Sequence, residues 1–174
     1  MILIDAIYIH THGGLTILDS FINGIEKNPS VDINNFHFFI DDRIELSMIK
    51  RIKNYSIELV KANHFNRKKA YEKKINLASK IVCLANIPPP IKLSKPVYIY
   101  FHNLLLLDNK TTYVTPFYFI LNKIKLQYIK FFRHKSYRWI VQTSFMKNKL
   151  SEILKIDKER INIYPFYSND DIHY

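Results

Sequence analysis

The chain has 174 residues, with 26 Lys and Arg against 15 Asp and Glu, for a formal charge of +11. That length predicts one domain, able to bury roughly 70% of the surface its unfolded chain exposes without any covalent staple. A hydrophobic fraction of 48% excludes a disordered chain, and the single cysteine, Cys83, excludes a disulfide framework and a cysteine zinc site and points to a reducing compartment.

The first strand is apolar on nearly every residue from Ile2 to Ile9, the pattern of a strand buried on both faces in a parallel sheet. Thr11-His12-Gly13-Gly14 reads as a turn, and Leu15, Leu18, Ile22 and Ile25 follow at helical spacing. Asn35 to Ile40 reads as a second strand, closed by Asp41-Asp42, and Leu46, Ile49 and Ile52 mark a short helix. Ser56 to Val60 is a third strand, and Asn66 is placed to cap a basic helix running to Ala78. Lys80 to Ala85 is a fourth strand, stopped by Pro88-Pro89-Pro90, and Val97 to Phe101 a fifth, ending at His102-Asn103. Leu104 to Tyr113 receives no assignment.

Thr115-Pro116 is a helix start, Thr at the cap and Pro at the first position. Phe117, Ile120, Leu121, Ile124, Tyr128, Phe131 and Phe132 then fall on one face, which is expected to be core, with contact to an anionic bilayer surface as the second reading. Tyr137 to Val141 is a sixth strand, Ser144 a cap for a helix carrying Met146, Leu150, Ile153 and Leu154, and Ile161 to Tyr164 a seventh strand. The alternation predicts an α/β, Rossmann-like three-layer domain spanning 1–174, with a sheet of about six or seven mainly parallel strands. Ligands of such sheets bind beyond the carboxyl ends of the strands, which picks out Thr11–Gly14, Asn86–Pro90 and His102–Asn103.

Only three glycines occur, Gly13, Gly14 and Gly24, so neither a dinucleotide fingerprint nor a P-loop fits. Two of the three stand together between a strand and a helix, where a bare backbone lets an anionic ligand approach; a tight turn without ligand is the competing reading. His102 directly follows a buried strand and is placed to orient or deprotonate a sugar hydroxyl; a loop histidine bonded to backbone is the alternative. Asn103 beside it is a binding candidate or a turn. His10 and His12 make an H-x-H pair without a third ligand nearby, so no metal site is expected and His12 is read as lining the site. Asp19 is read as solvated and Asp41-Asp42 as a turn, with Asp108 the remaining acidic candidate. Basic clusters fall on Lys50, Arg51 and Lys53, on the Asn66 helix, and on the Pro116 helix. No apolar run is long enough to cross a bilayer, the N-terminus has no secretory pattern, and no nucleic-acid-binding signature accounts for the charge.

The strand ending in His12-Gly13-Gly14 is followed in order by the runs Ile81–Pro89, Tyr98–Asn103, Trp139–Ser144 and Ile161–Tyr167. Together they resemble the N-terminal half of a GT-B-fold glycosyltransferase of the kind that builds bacterial surface polysaccharides. The resemblance implies an acceptor-binding domain facing a second, nucleotide-sugar-binding domain across a cleft, with a lipid-linked acceptor, no metal and no cofactor beyond the donor substrate. Gly13 and Gly14 would approach the donor diphosphate, His102 would lie at the transferred sugar as the catalytic residue, and Ser144 and Asn103 would contact substrate. The acidic donor-binding motif of the second domain is not in the sequence, so the chain is expected to be inactive alone. A cytoplasmic protein held on the inner face of the plasma membrane is expected, through Arg67, Lys68, Lys69, Lys73 and Lys74. The alternative is a non-catalytic Rossmann-like module that binds a small anion or a partner.

Overall fold

The computed structural model describes residues 1–107 and 116–165, the side chains of His12 and Pro116 excepted. Seven strands form one sheet: β1 Ile2–Ala6, β2 Phe36–Asp41, β3 Ser56–Val60, β4 Lys80–Cys83, β5 Val97–Tyr100, β6 Arg138–Val141 and β7 Ile161–Ile163. Their order is β3-β2-β1-β4-β5-β6-β7, and every pairing is parallel. The expected α/β, Rossmann-like domain is therefore present, with the sheet parallel throughout. The chain steps outward from β1 to β3, then returns past β1 to build β4 to β7. The direction reverses between β1 and β4.

Among the described residues, five α-helices accompany the sheet: α1 His12–Glu26, α2 Leu46–Arg51, α3 His64–Lys74, α4 Pro116–Phe132 and α5 Ser144–Leu154. Strand residues alternate between two cores, as a pleated backbone requires. Ile4, Ala6, Phe38 and Ile40 pack with Leu18, Ile22 and Ile25 of α1. Leu3, Phe39, Ile81, Ile99 and Trp139 pack with Tyr71 of α3, Ile129 of α4, and Leu150 and Leu154 of α5. The result is three layers, with helices on both faces of the sheet.

Local boundaries shift for physical reasons. β1 ends at Ala6 because Tyr8 adopts a left-handed φ of 77°, which no strand continues. α1 begins at His12, so Gly13 and Gly14 lie in its first turn and not in a turn before it. Asn63, not Asn66, caps α3, its side chain accepting the Asn66 amide at 2.9 Å. Likewise Thr143 caps α5, one residue before Ser144, and accepts the Met146 amide at 3.2 Å. A 3-10 turn at Leu104–Leu106 opens the segment that received no assignment. The rest of that segment, Asp108, the Thr115 cap and Phe166-Tyr167 lie outside the described residues.

The largest correction concerns α4. The stripe expected to be core is mostly solvent-facing: Phe117 is 67% exposed, Ile124 60% and Phe131 70%, with Ile120 exposed as well. Leu126 and Ile129 turn inward instead, and none of residues 117–125 is buried. This helix carries apolar side chains around most of its circumference, so periodicity alone does not choose the buried face.

Candidate functional site

The carboxyl edge of the sheet gathers the singled-out residues. β1 delivers Tyr8 to Gly14, β4 delivers Asn86, β5 delivers His102 and Asn103, and β6 delivers Ser144. Because β1, β4, β5 and β6 are successive neighbours, these loops adjoin one another at the reversal in strand order, where α/β sheets open a crevice. Gly13 takes no left-handed conformation, and a side chain added there would meet open space. Its backbone is thus accessible at the start of a 15-residue helix, whose first N–H groups have no intrahelical acceptor. Gly14 is tighter, since an added Cβ would sit 3.2 Å from the Ile9 side chain.

Two buried carboxylates hold this edge. Asp41, read from sequence as part of a turn, is fully buried at the end of β2. It accepts the Tyr8 amide at 3.0 Å, fixing the left-handed turn after β1, and both Nε and a terminal nitrogen of Arg43, at 2.9 and 2.7 Å. Burial opposes its charge, but the Arg43 guanidinium prevails and holds the carboxyl below its usual range. Arg43, 52% exposed, also reaches His10 Nδ1 at 3.2 Å. Among the described residues, no group of three or more His, Cys, Asp or Glu side chains is placed to hold a metal ion.

Asp5, next to last in β1, accepts Arg67 Nε at 2.8 Å, the Tyr71 hydroxyl at 2.6 Å and the Ile7 amide at 3.1 Å. Arg67 was expected on the basic surface and is instead 1% exposed. Its guanidinium continues to the carbonyls of Pro88 and Ile87, at 2.8 and 3.4 Å. Burial disfavours its charge, and the neighbouring Asp5 more than restores it. A membrane role for Arg67 is therefore excluded, and the residue braces the loop that carries Asn86. The adjacent Cys83 thiol is pushed up to about 12 by burial, so it is not a nucleophile.

Asn86 is a residue the sequence reading placed in an edge loop without giving it a role. It adopts a left-handed φ of 66° and is 9% exposed. Its side-chain oxygen accepts the amides of both His102 and Asn103, at 2.7 and 2.9 Å. Its nitrogen lies 3.1 Å from His102 Nε2. The imidazole stacks on Tyr100 at 5.7 Å between centroids, and burial lowers its pKa to about 4, so it is neutral at physiological pH. Asn103 caps the 3-10 turn, accepting the Leu105 amide at 3.0 Å, and so does the work of a turn residue. An apolar groove of about 240 Å³ opens beside this strand end, lined by Ile17, Phe21, Leu84, Tyr100, Ile140 and Tyr164. The signal that could have singled out Asn86 is its residue type, since asparagine is the residue besides glycine that most readily turns left-handed.

The remaining candidates divide. Ser144 is exposed in the first turn of α5, on the same sheet edge. The side chain of His12 lies outside the described residues. Lys68, Lys69 and Lys73 are exposed on α3, but Lys68 faces Glu72 at 3.7 Å and Lys73 faces Glu58 at 3.8 Å. Asp19, expected to be solvated, bonds Asn23 and meets Arg51 Nε at 3.4 Å. No protein-family model matches the chain, and no curated protein or solved structure is significantly similar to it.

Proposed function

We propose that the chain is the acceptor-binding domain of a GT-B-fold glycosyltransferase, which passes a sugar from a nucleotide-sugar to a lipid-linked glycan in surface polysaccharide synthesis. The observation that carries this reading is the convergence of the open Gly13 backbone and His102 at one sheet edge, beside the reversal in strand order. The helix start suits the donor diphosphate, since unpaired N–H groups and the helix dipole favour an anion. His102, neutral and stacked on Tyr100, would contact the transferred sugar. The donor nucleotide would be held mainly by a second domain facing this edge.

A lipid-linked acceptor implies work at a bilayer, and α4 supports it better than α3. α4 contains Lys123, Lys125 and Lys130 and no acidic residue, and its exposed face carries Phe117, Ile120, Ile124 and Phe131. Such a helix lies in the interface of an anionic membrane without crossing it. No helix among the described residues is long and apolar enough to span one.

A second reading, a non-catalytic module for a small anion, is favoured by the half-exposed Arg43, which follows β2 and reaches His10 in the loop that leads into α1. Joining the chain to a donor domain separates the two. The chain alone should transfer no sugar, because catalysis needs both substrates held in attack geometry. The joined enzyme should transfer sugar, and His102→Ala should lower its turnover with little loss of stability. A joined enzyme that binds phosphate but transfers nothing would leave the second reading standing.

A further inference from the structure

We propose that Asn86 fixes His102 as the neutral tautomer protonated at Nδ1, so that the ring serves the site as a hydrogen-bond donor to a substrate oxygen and not as a general base. The substrate half of this statement rests on the glycosyltransferase reading, and the tautomer half does not.

The argument begins with which way the Asn86 amide points. Its oxygen lies 2.7 Å from the His102 backbone nitrogen and 2.9 Å from that of Asn103. Backbone N–H groups only donate, so the atom meeting both must be the oxygen. The other end of the amide is then the NH2 group, which also only donates. It stands 3.1 Å from His102 Nε2. Nε2 must accept, its lone pair is occupied, and the single proton of the neutral ring sits on Nδ1.

The arrangement is held from behind. Asn86 pays for a left-handed backbone, φ 66°, that aims its side chain back at β5. The two residues that follow it are tied through their carbonyls to Arg67, itself paired with the buried Asp5. On the other side the Tyr100 ring stacks on the imidazole. Protonating Nε2 would set an N–H against an N–H, so the clamp resists the charged ring for the same reason that it selects one tautomer. His102 Nδ1 is shielded from solvent and finds no hydrogen-bond partner among the described residues. A buried donor without an acceptor is costly, and a sugar or phosphate oxygen that displaced what covers Nδ1 would satisfy it. In a transfer reaction this donor would steady the negative charge that develops on the departing diphosphate oxygen as the sugar's bond to it breaks and the bond to the acceptor oxygen forms, and the proton of the attacking hydroxyl would pass to that diphosphate.

Two measurements test the proposal separately. The first is two-bond 1H–15N NMR of the histidine rings in this chain at neutral pH, with His102 assigned by its absence in His102→Asn. Nδ1 should read as the protonated, pyrrole-type nitrogen and Nε2 as the bare, pyridine-type one. Asn86→Asp keeps an oxygen for the two backbone amides but faces Nε2 with an acceptor, so the ring proton should move to Nε2. A wild-type ring protonated at Nε2 overturns the tautomer assignment, even if the Asn86→Asp chain fails to fold. A proton that stays on Nδ1 alone in a folded Asn86→Asp chain removes Asn86 as its cause.

The second measurement uses the two-domain enzyme. His102→Asn keeps an N–H donor near the position of Nδ1 and offers no titrating base. It should stay within about tenfold of wild-type turnover, whereas His102→Ala should lose about 100-fold or more, the usual effect of deleting one donor to developing charge. Equal losses in the two variants sink the donor role. An enzyme with no transfer activity in any form would instead refute the glycosyltransferase reading and leave the tautomer result intact.

Discussion

At the scale of single residues, two buried polar systems fix the carboxyl edge, and each makes a measurable statement. Arg67 and Asp5 are both 1% exposed, so each is tolerable only because of the other. Arg67→Met should destabilise the chain by about 3–5 kcal/mol in urea unfolding, because it leaves the Asp5 carboxylate buried without its counter-charge. Adding Asp5→Asn should recover much of that loss, and a single variant losing less than about 1 kcal/mol would show that the pair is not the brace described here. His102 makes a statement about pH. Its folded pKa of about 4 lies below the ordinary 6.5, so the unfolded chain takes up a proton over a range where the folded chain refuses it. Above pH 6.5 the group contributes nothing to pH dependence. Between pH 6.5 and 4 it should remove up to about 3 kcal/mol of stability, levelling off below. Comparing urea midpoints of wild type and His102→Asn over that range isolates the effect. Parallel curves would mean that the ring is solvated.

At the scale of elements, α4 is where the strand-and-helix reading and the structure part most. The helix itself, its start at Pro116 and its apolar stripe were all legible. Its orientation was not, because Leu126 and Ile129 compete with the stripe for the core and win. The outcome leaves Phe117, Ile120, Ile124 and Phe131 facing outward beside lysines. Replacing Phe117, Ile120 and Ile124 with Ser should abolish sedimentation with vesicles of mixed anionic and neutral lipid, with thermal stability unchanged. Replacing Lys123, Lys125 and Lys130 with Gln should weaken binding by about 1 kcal/mol per charge and remove its salt dependence. Equal binding of wild type to purely neutral vesicles would show that the charge plays no part. α3 is the weaker candidate, since Glu72 and Glu58 offset two of its lysines and Arg67 is inside.

At the scale of the whole molecule, the formal charge of +11 is not spent evenly. Arg43 and Arg67 are committed to buried carboxylates, and Arg51 to Glu26, whereas no acidic residue shares α4 with its lysines. The sheet places the open helix start, the Asn86 clamp and His102 along one edge. On the glycosyltransferase reading proposed above, a second domain facing this edge would close over all three at once.

The alternation of apolar runs and helical periods by itself determined the α/β class and all seven strands. Those properties depend on local patterns, a period of two or of 3.6 residues and the punctuation by Pro and Gly. Tertiary structure decided the rest. Arg67 reads in sequence as one of a cluster of surface cations, and only its proximity to Asp5, 62 residues away, draws it inside. Asp41 reads as a turn residue until the Tyr8 amide from another strand end reaches it, and Asn86 acquires a role only when β4 and β5 lie side by side. A lone charge or amide carries no sign of its partner in the sequence around it. Whether it is solvated or structural depends on which distant group the fold delivers, because burial is tolerated only when that partner arrives.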